Sequence, residues 1–137
     1  MQDYHHLEHA RQVAMVAHEG QQDKAGNPYF HHCQRVADRL VSEDEKIVAY
    51  LHDIPEKAPA WTIDRLTEEG FAAKIIAAVD ALTRKADEDD AHLVSRAAAN
   101  PLARSVKQAD LEDNLAQAEQ AGLDAEKYKR ALALLAG

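Results

Sequence analysis

Apolar residues recur at three- and four-residue spacing along most of the chain, the period of helices that bury one face. Leu7, Ala10, Val13, Ala14 and Ala17 form the first such stripe. It predicts a helix over about residues 3–19, with Asp3 as its cap and Gly20 as its C-terminal stop. His18 falls one turn after Ala14, on or beside the stripe, as either a buried histidine bonded to backbone or a support for a site. Residues 21–28 (Q-Q-D-K-A-G-N-P) are polar and rich in turn formers, which predicts a loop. A second helix follows over about residues 31–41, with Val36, Ala37 and Leu40 inward. Ser42 and Glu45 have capping-box spacing for a third helix, whose run Ile47, Val48 and Leu51 ends in His52-Asp53. Pro55 and Pro59 close it and predict a loop through Trp61.

Thr62 is placed to cap a short helix to about residue 69, ended by Gly70. Residues 71–82 read as another helix with Ile75, Ile76, Val79 and Leu82 buried, and 83–90 as a solvated charged link. A helix over about 90–99 stops before Pro101, which suits the first turn of a long helix reaching about residue 121. Gly122 breaks that helix, and Asp124 is placed to cap a last amphipathic one to Leu135. Its apolar side (Ala125, Tyr128, Ala131, Leu132, Leu135) either finishes the core or faces a second subunit, so an oligomer stays open. The whole pattern, without repeat or low-complexity tract, predicts one all-α domain over residues 1–137, a bundle of about seven to eight helices.

Composition agrees, with 46% hydrophobic residues but only 5% aromatic, and few Gly or Pro, a mix suited to close-packed helices. The formal charge of -8, with no basic stripe, argues against a nucleic-acid polymer as partner. No apolar run approaches the roughly 20 residues of a membrane span, and the N-terminal stretch lacks a signal layout, so no membrane association and a cytoplasmic location are expected. Cys33 is the only cysteine, so no intrachain disulfide forms and a reducing compartment fits. Eight histidines are the compositional hint of metal chemistry.

His52 and Asp53 stand side by side at the end of a buried helix, where unpaired polar groups are costly and a metal ion is the simplest partner. His32, Glu56, Asp110 and Asn114 are the other candidates. Lys107, Asp110 and Asn114, three and four residues apart, share one face of the long helix. Two histidines and two aspartates from three helices would make a mixed N/O site for Mn²⁺, Fe²⁺ or Zn²⁺, with positions left for water and a substrate phosphate. Glu56, near the metal, is placed to orient or deprotonate that water.

The order His, then His-Asp, then a distant Asp resembles the HD-domain metal-dependent phosphohydrolases. The segments A-H-E-G-Q-Q-D-K-A-G-N-P-Y-F-H-H, L-H-D-I-P-E and V-K-Q-A-D-L-E-D-N are similar to the hydrolase domain of RelA/SpoT-type enzymes and to the small alarmone hydrolases, over about residues 5–117. The resemblance implies an all-α fold, His32, His52, Asp53 and Asp110 as ligands of Mn²⁺, and Glu56 as the residue that activates water. It also implies Lys24 and Asn114 as substrate-binding residues, and a small nucleotide substrate. The reaction implied is hydrolytic removal of the 3′-pyrophosphate from guanosine tetra- or pentaphosphate. His31 has no counterpart and reads as a surface residue. Three positions depart from the pattern: Lys57 where the family has Asp, Asp23 where it has Arg, and Cys33 where it has Pro. Lys57 reverses the charge beside the implied water, which keeps a second reading open, a catalytically weakened HD domain that binds a nucleotide or metal as a sensor or interaction module.

Overall fold

The computed structural model describes residues 2–137, with side chains from His6 onward, so the Asp3 cap lies outside the described side chains. Nine helical segments and no strand occur among the described residues, giving the all-α fold that the periodicity predicts. The first three are α1 (Gln2–Ala17), α2 (Tyr29–Asp38) and α3 (Glu43–Leu51), and α3 packs against both others. Ser42 caps α3 as expected: its hydroxyl accepts the Glu45 N–H at 3.1 Å, and the Glu45 carboxylate accepts the Ser42 N–H at 3.1 Å.

Past His52 the chain does not fall directly into a loop. Ile54–Lys57 form a single turn, α4, with Pro55 in its first positions, where the missing N–H would have had no partner in any case. Thr62 caps α5 (Ile63–Glu68), and α6 (Ala73–Leu82) follows, burying Ile75, Ala78, Val79 and Leu82 and leaving Ile76 half-buried. The link after α6 is solvated as its charge suggests, with no residue of 83–90 buried, but it is tied down from one side. The Arg96 guanidinium, from α7 (Asp90–Ala98), donates to both Glu88 carboxylate oxygens at 2.7 Å and to the carbonyls of Thr83 and Asp80 at 2.7 and 3.1 Å.

The long α8 (Pro101–Gln120) runs past α2, α3, α6 and α7, and α9 (Glu126–Ala136) lies across α7 and α8. Asp124 sits one residue outside the α9 cap position, held by Ala125, and its Oδ1 accepts the Glu126 N–H at 3.0 Å. Two apolar clusters result. The larger joins α1–α3 to α6 and the first half of α8 around Val36, Val48, Leu51, Ile54, Val79 and Val106. The smaller joins α7, α8 and α9 through Val94, Leu111, Ala118, Tyr128, Ala131 and Leu135. The apolar side of α9 therefore finishes a core. Cys33 is wholly buried in the larger cluster, and burial pushes its thiol above the ordinary range. No helix among the described residues is long and apolar enough to cross a membrane.

Candidate metal centre

Three helices meet where the two clusters adjoin. His32 lies in the first turn of α2, His52 and Asp53 follow the last turn of α3, and Asp110 is midway along α8. One ligand atom from each of the four falls within 4.8 Å of the others. His32 Nε2 is 3.0 Å from Asp110 Oδ1 and 3.5 Å from Asp53 Oδ2, and His52 Nε2 is 3.2 Å from each of the same two oxygens. Both histidines are nearly inaccessible to solvent. His31, beside His32, is exposed.

The far side of each ring fixes its direction. His52 Nδ1–H donates to the Ala49 carbonyl at 2.6 Å, and His32 Nδ1–H donates to Asp113 Oδ2 at 2.6 Å. With Nδ1 carrying that hydrogen, both Nε2 atoms turn toward the carboxylates. Burial alone would lower both imidazoles from 6.5, but hydrogen bonds to Asp110, Asp113 and Asp53 outweigh it and push His32 up to about 11. At His52 the charge of Asp53 and the bond to Asp110 do the same, up to about 10. Burial would raise the two carboxyls, yet the histidines hold both below the usual carboxylate range.

These donors fit a divalent cation. The half-buried Asp53 and buried Asp110 carboxylates have the two imidazoles beside them and the Lys107 ammonium 3.6 Å from Asp110 Oδ2, and a divalent ion with neutral imidazoles would supply the charge that two imidazolium protons otherwise bring. Ligand atoms about 2.1 Å from a shared ion stand about 3 Å apart at right angles, which matches the four closest separations. Imidazole and carboxylate without thiolate suit Mn²⁺, Fe²⁺ or Zn²⁺ over a soft ion.

Behind the four lies a second layer that the sequence pattern does not single out. Asp113 accepts from His32, from Gln117 Nε2 at 2.8 Å and from Arg35 Nε at 2.8 Å, and Arg35 also donates to Asp23 at 3.1 Å. Although burial would raise the Asp113 carboxyl, His32 and Arg35 bring it down to about 2. Asp113 falls three residues after Asp110, on the same side of α8, and that spacing was the available signal. Asp23 holds the 21–28 loop in shape. Its Oδ1 accepts the N–H groups of Ala25 and Asn27 at 3.0 Å and cinches the turn, with Gly26 at φ +85°. Its buried carboxylate faces Arg35.

On the outer side, Tyr29 OH donates to Asp53 Oδ2 at 2.5 Å, and Asn114 Nδ2 donates to Asp110 Oδ1 at 3.1 Å. Burial and the Asp53 charge keep the Tyr29 phenol protonated. His18 is buried against the Tyr29 ring and bonds the Gln21 side chain at 2.8 Å, where backbone was one expectation; burial lowers it, so it stays neutral. A cleft of about 200 Å³ opens over His52, Asp53 and Asp110, bordered by Lys24, Glu56, Lys57, Lys107, Asn114 and Lys127 among others. Lys24 Nζ donates to Asn114 Oδ1 at 2.9 Å, so these two residues meet at the cleft. Glu56 is exposed, and its Oε1 accepts the Arg84 N–H at 2.5 Å; Lys57 Nζ lies 5.4 Å from the Tyr29 ring centre.

Compared with known proteins, residues 10–136 match a family model described as an HD domain. No curated protein matches the chain.

Proposed function

The chain belongs to the HD-domain family, and from that premise we propose that it is a metal-dependent phosphohydrolase acting on a small nucleotide or phosphate ester. The convergence of two oriented imidazole Nε2 atoms on two buried carboxylates carries this reading. His32, His52, Asp53 and Asp110 would hold the ion, for which Mn²⁺ is the expectation. When bound, a divalent cation supplies Lewis-acid polarisation of a water and of a phosphoryl oxygen. The remaining chemistry falls to side chains around the cleft. Glu56, one oxygen held by the Arg84 N–H, has the other free to take a proton from the attacking water. Lys24 and Lys57 offer charge to the phosphate, and Asn114 couples Lys24 to Asp110. Guanosine 3′,5′-bis(diphosphate), losing its 3′-pyrophosphate, is the first candidate substrate on the resemblance of the motifs.

Lys57 favours a second reading, an HD domain that binds a nucleotide without turning it over, since an ammonium pairs with phosphate and does not help deprotonate water. One experiment separates the two. The protein as purified should hold about one divalent ion, and with Mn²⁺ it should hydrolyse at least one member of a nucleotide panel that includes guanosine tetraphosphate. Asp110→Ala should lose both ion and turnover. Binding without turnover of any member would install the sensor reading, and a protein that takes up no divalent ion would remove both.

A further inference from the structure

The peptide unit joining Thr83 to Arg84 is held on both sides. Helix α6 closes at Leu82 and Thr83 turns extended (φ -95°, ψ 122°), so the Thr83 carbonyl and the Arg84 N–H leave the helical ladder. The carbonyl accepts from Arg96 Nη2 at 2.7 Å, and the Arg84 N–H donates to Glu56 Oε1 at 2.5 Å. A trans peptide is planar, and its C=O and N–H point in opposite directions. A guanidinium that fixes the carbonyl therefore fixes the line along which the N–H reaches Glu56. Its charge also polarises the peptide, which strengthens the N–H as a donor.

The other bonds of Arg96 make that grip rigid. Nε and Nη2 each donate to one Glu88 carboxylate oxygen at 2.7 Å, and Nη1 donates to the Asp80 carbonyl at 3.1 Å. Glu88 Oε1 also accepts the Lys85 N–H at 2.9 Å, so the next peptide is pinned as well. Asp87 completes the turn in the left-handed region at φ +65°, a conformation that persists where its surroundings enforce it. No residue of 83–90 is buried, and water would satisfy the same backbone groups without ordering them. Closing α6 alone does not call for this much fixing. Glu56 does. Its carboxylate is exposed on the single turn α4, at the cleft that also holds Asp53 and Asp110, and unheld it would sample several rotamers there.

We propose that Arg96 is a positioning residue for Glu56, acting through the Thr83–Arg84 peptide to hold one carboxylate oxygen and leave the other to the cleft. The task of that second oxygen, taking a proton from water, rests on the phosphohydrolase reading; the hold on the carboxylate does not.

A double-mutant cycle between Arg96→Met and Glu56→Ala tests this, with Mn²⁺ and guanosine tetraphosphate or the member of the nucleotide panel that turns over fastest. Arg96→Met alone should lower kcat by about 10- to 100-fold with KM within about twofold, the pattern of a misplaced base. Added to Glu56→Ala, it should cost less than about twofold more. Losses of equal size in both backgrounds, or an undiminished kcat, overturn the proposal and reduce Arg96 to a brace for the link. Arg96→Lys keeps the stem and a charge opposite Glu88 but loses the planar fork, and it replaces Arg96→Met in the cycle if a thermal melt shows that variant unfolded. Hydrogen exchange of the Arg84 amide, read by mass spectrometry at residue resolution, needs no turnover. It should quicken about tenfold or more in both Arg96→Met and Glu56→Ala, while the Lys85 amide responds to Arg96→Met alone. An Arg84 amide indifferent to either change overturns the proposal. Faster exchange in both variants without turnover of any nucleotide keeps the positioning role and removes the reading of Glu56 as a base.

Discussion

The two walls of the cleft are built differently. The inner wall is a connected network: Asp113 alone takes hydrogen bonds from His32, Arg35 and Gln117, and Arg35 continues to Asp23 and the loop it cinches. The outer wall carries Lys24, Glu56, Lys57 and Lys127, all exposed, each held by one or two contacts. Unsatisfied polar groups are expensive in a buried place and nearly free at the surface, so the inner wall is locked and the outer wall is adjustable. The contrast teaches that the residues able to hold an ion and those facing what would bind beside it are anchored separately. Lys57 and Glu56 can change without disturbing His32, and Asp113 cannot.

That contrast can be broken most forcefully with pH. The imidazoles, raised to about 11 and about 10, hold their protons in the metal-free protein at neutrality, and a divalent ion must displace both. Mn²⁺ affinity should therefore climb steeply between pH 6 and 8, by about tenfold per pH unit for each proton released. A titration that is flat in pH would show that the metal-free site is not held by protons. Because the folded values lie above the ordinary 6.5, their stabilisation is complete below about pH 6.5 and fades as pH rises through about 10 and 11. The metal-free protein should accordingly melt at lower temperature on the alkaline side.

A smaller effect sharpens the inner wall. Asp113→Asn should weaken Mn²⁺ binding by about 10- to 100-fold, because the His32 ring loses the carboxylate that orients it. Equilibrium dialysis against Mn²⁺ reads this without any assay of turnover, and unchanged affinity would reduce Asp113 to a packing partner of Arg35. The smallest structural effect belongs to the outer wall. Lys57→Asp should move stability by no more than about 0.5 kcal/mol and leave Mn²⁺ uptake intact, while raising turnover of guanosine tetraphosphate. A drop in metal affinity in that variant would show that the walls are not independent.

Much of the architecture was legible in the spacing of apolar residues. The boundaries of α3, α5, α7 and α8 follow caps and prolines that act within one turn, and Ser42, Thr62 and Pro101 each sit where local chemistry places them. Pro55 misleads because the same missing N–H that ends one helix is harmless in the first turn of the next. The 83–90 link is solvated as its charge suggests, but nothing local reveals that Arg96, eight residues past Glu88, turns back on it. At the site, His32, His52, Asp53 and Asp110 stood out by residue type and order, and the structure brings them together. Asp113 and Arg35 did not, since their contact joins positions 78 apart and an arginine on an amphipathic helix looks like ordinary surface. Lys127 was hidden for the same reason, its place at the cleft existing only once α9 has docked on α7 and α8.

The ligand set has a topological consequence. His32 and Asp110 are 78 residues apart, and His52 and Asp110 are 58 apart. A cation shared among them ties α2, α3 and α8 into a single cross-link that encloses more than half of the chain. Closing loops of that length has a large but slowly growing entropic cost. An ion that binds only the closed arrangement leaves the rate of reaching it almost untouched and acts on the rate of leaving. A metal ion held by these four residues would thereby act as a kinetic lock on the bundle.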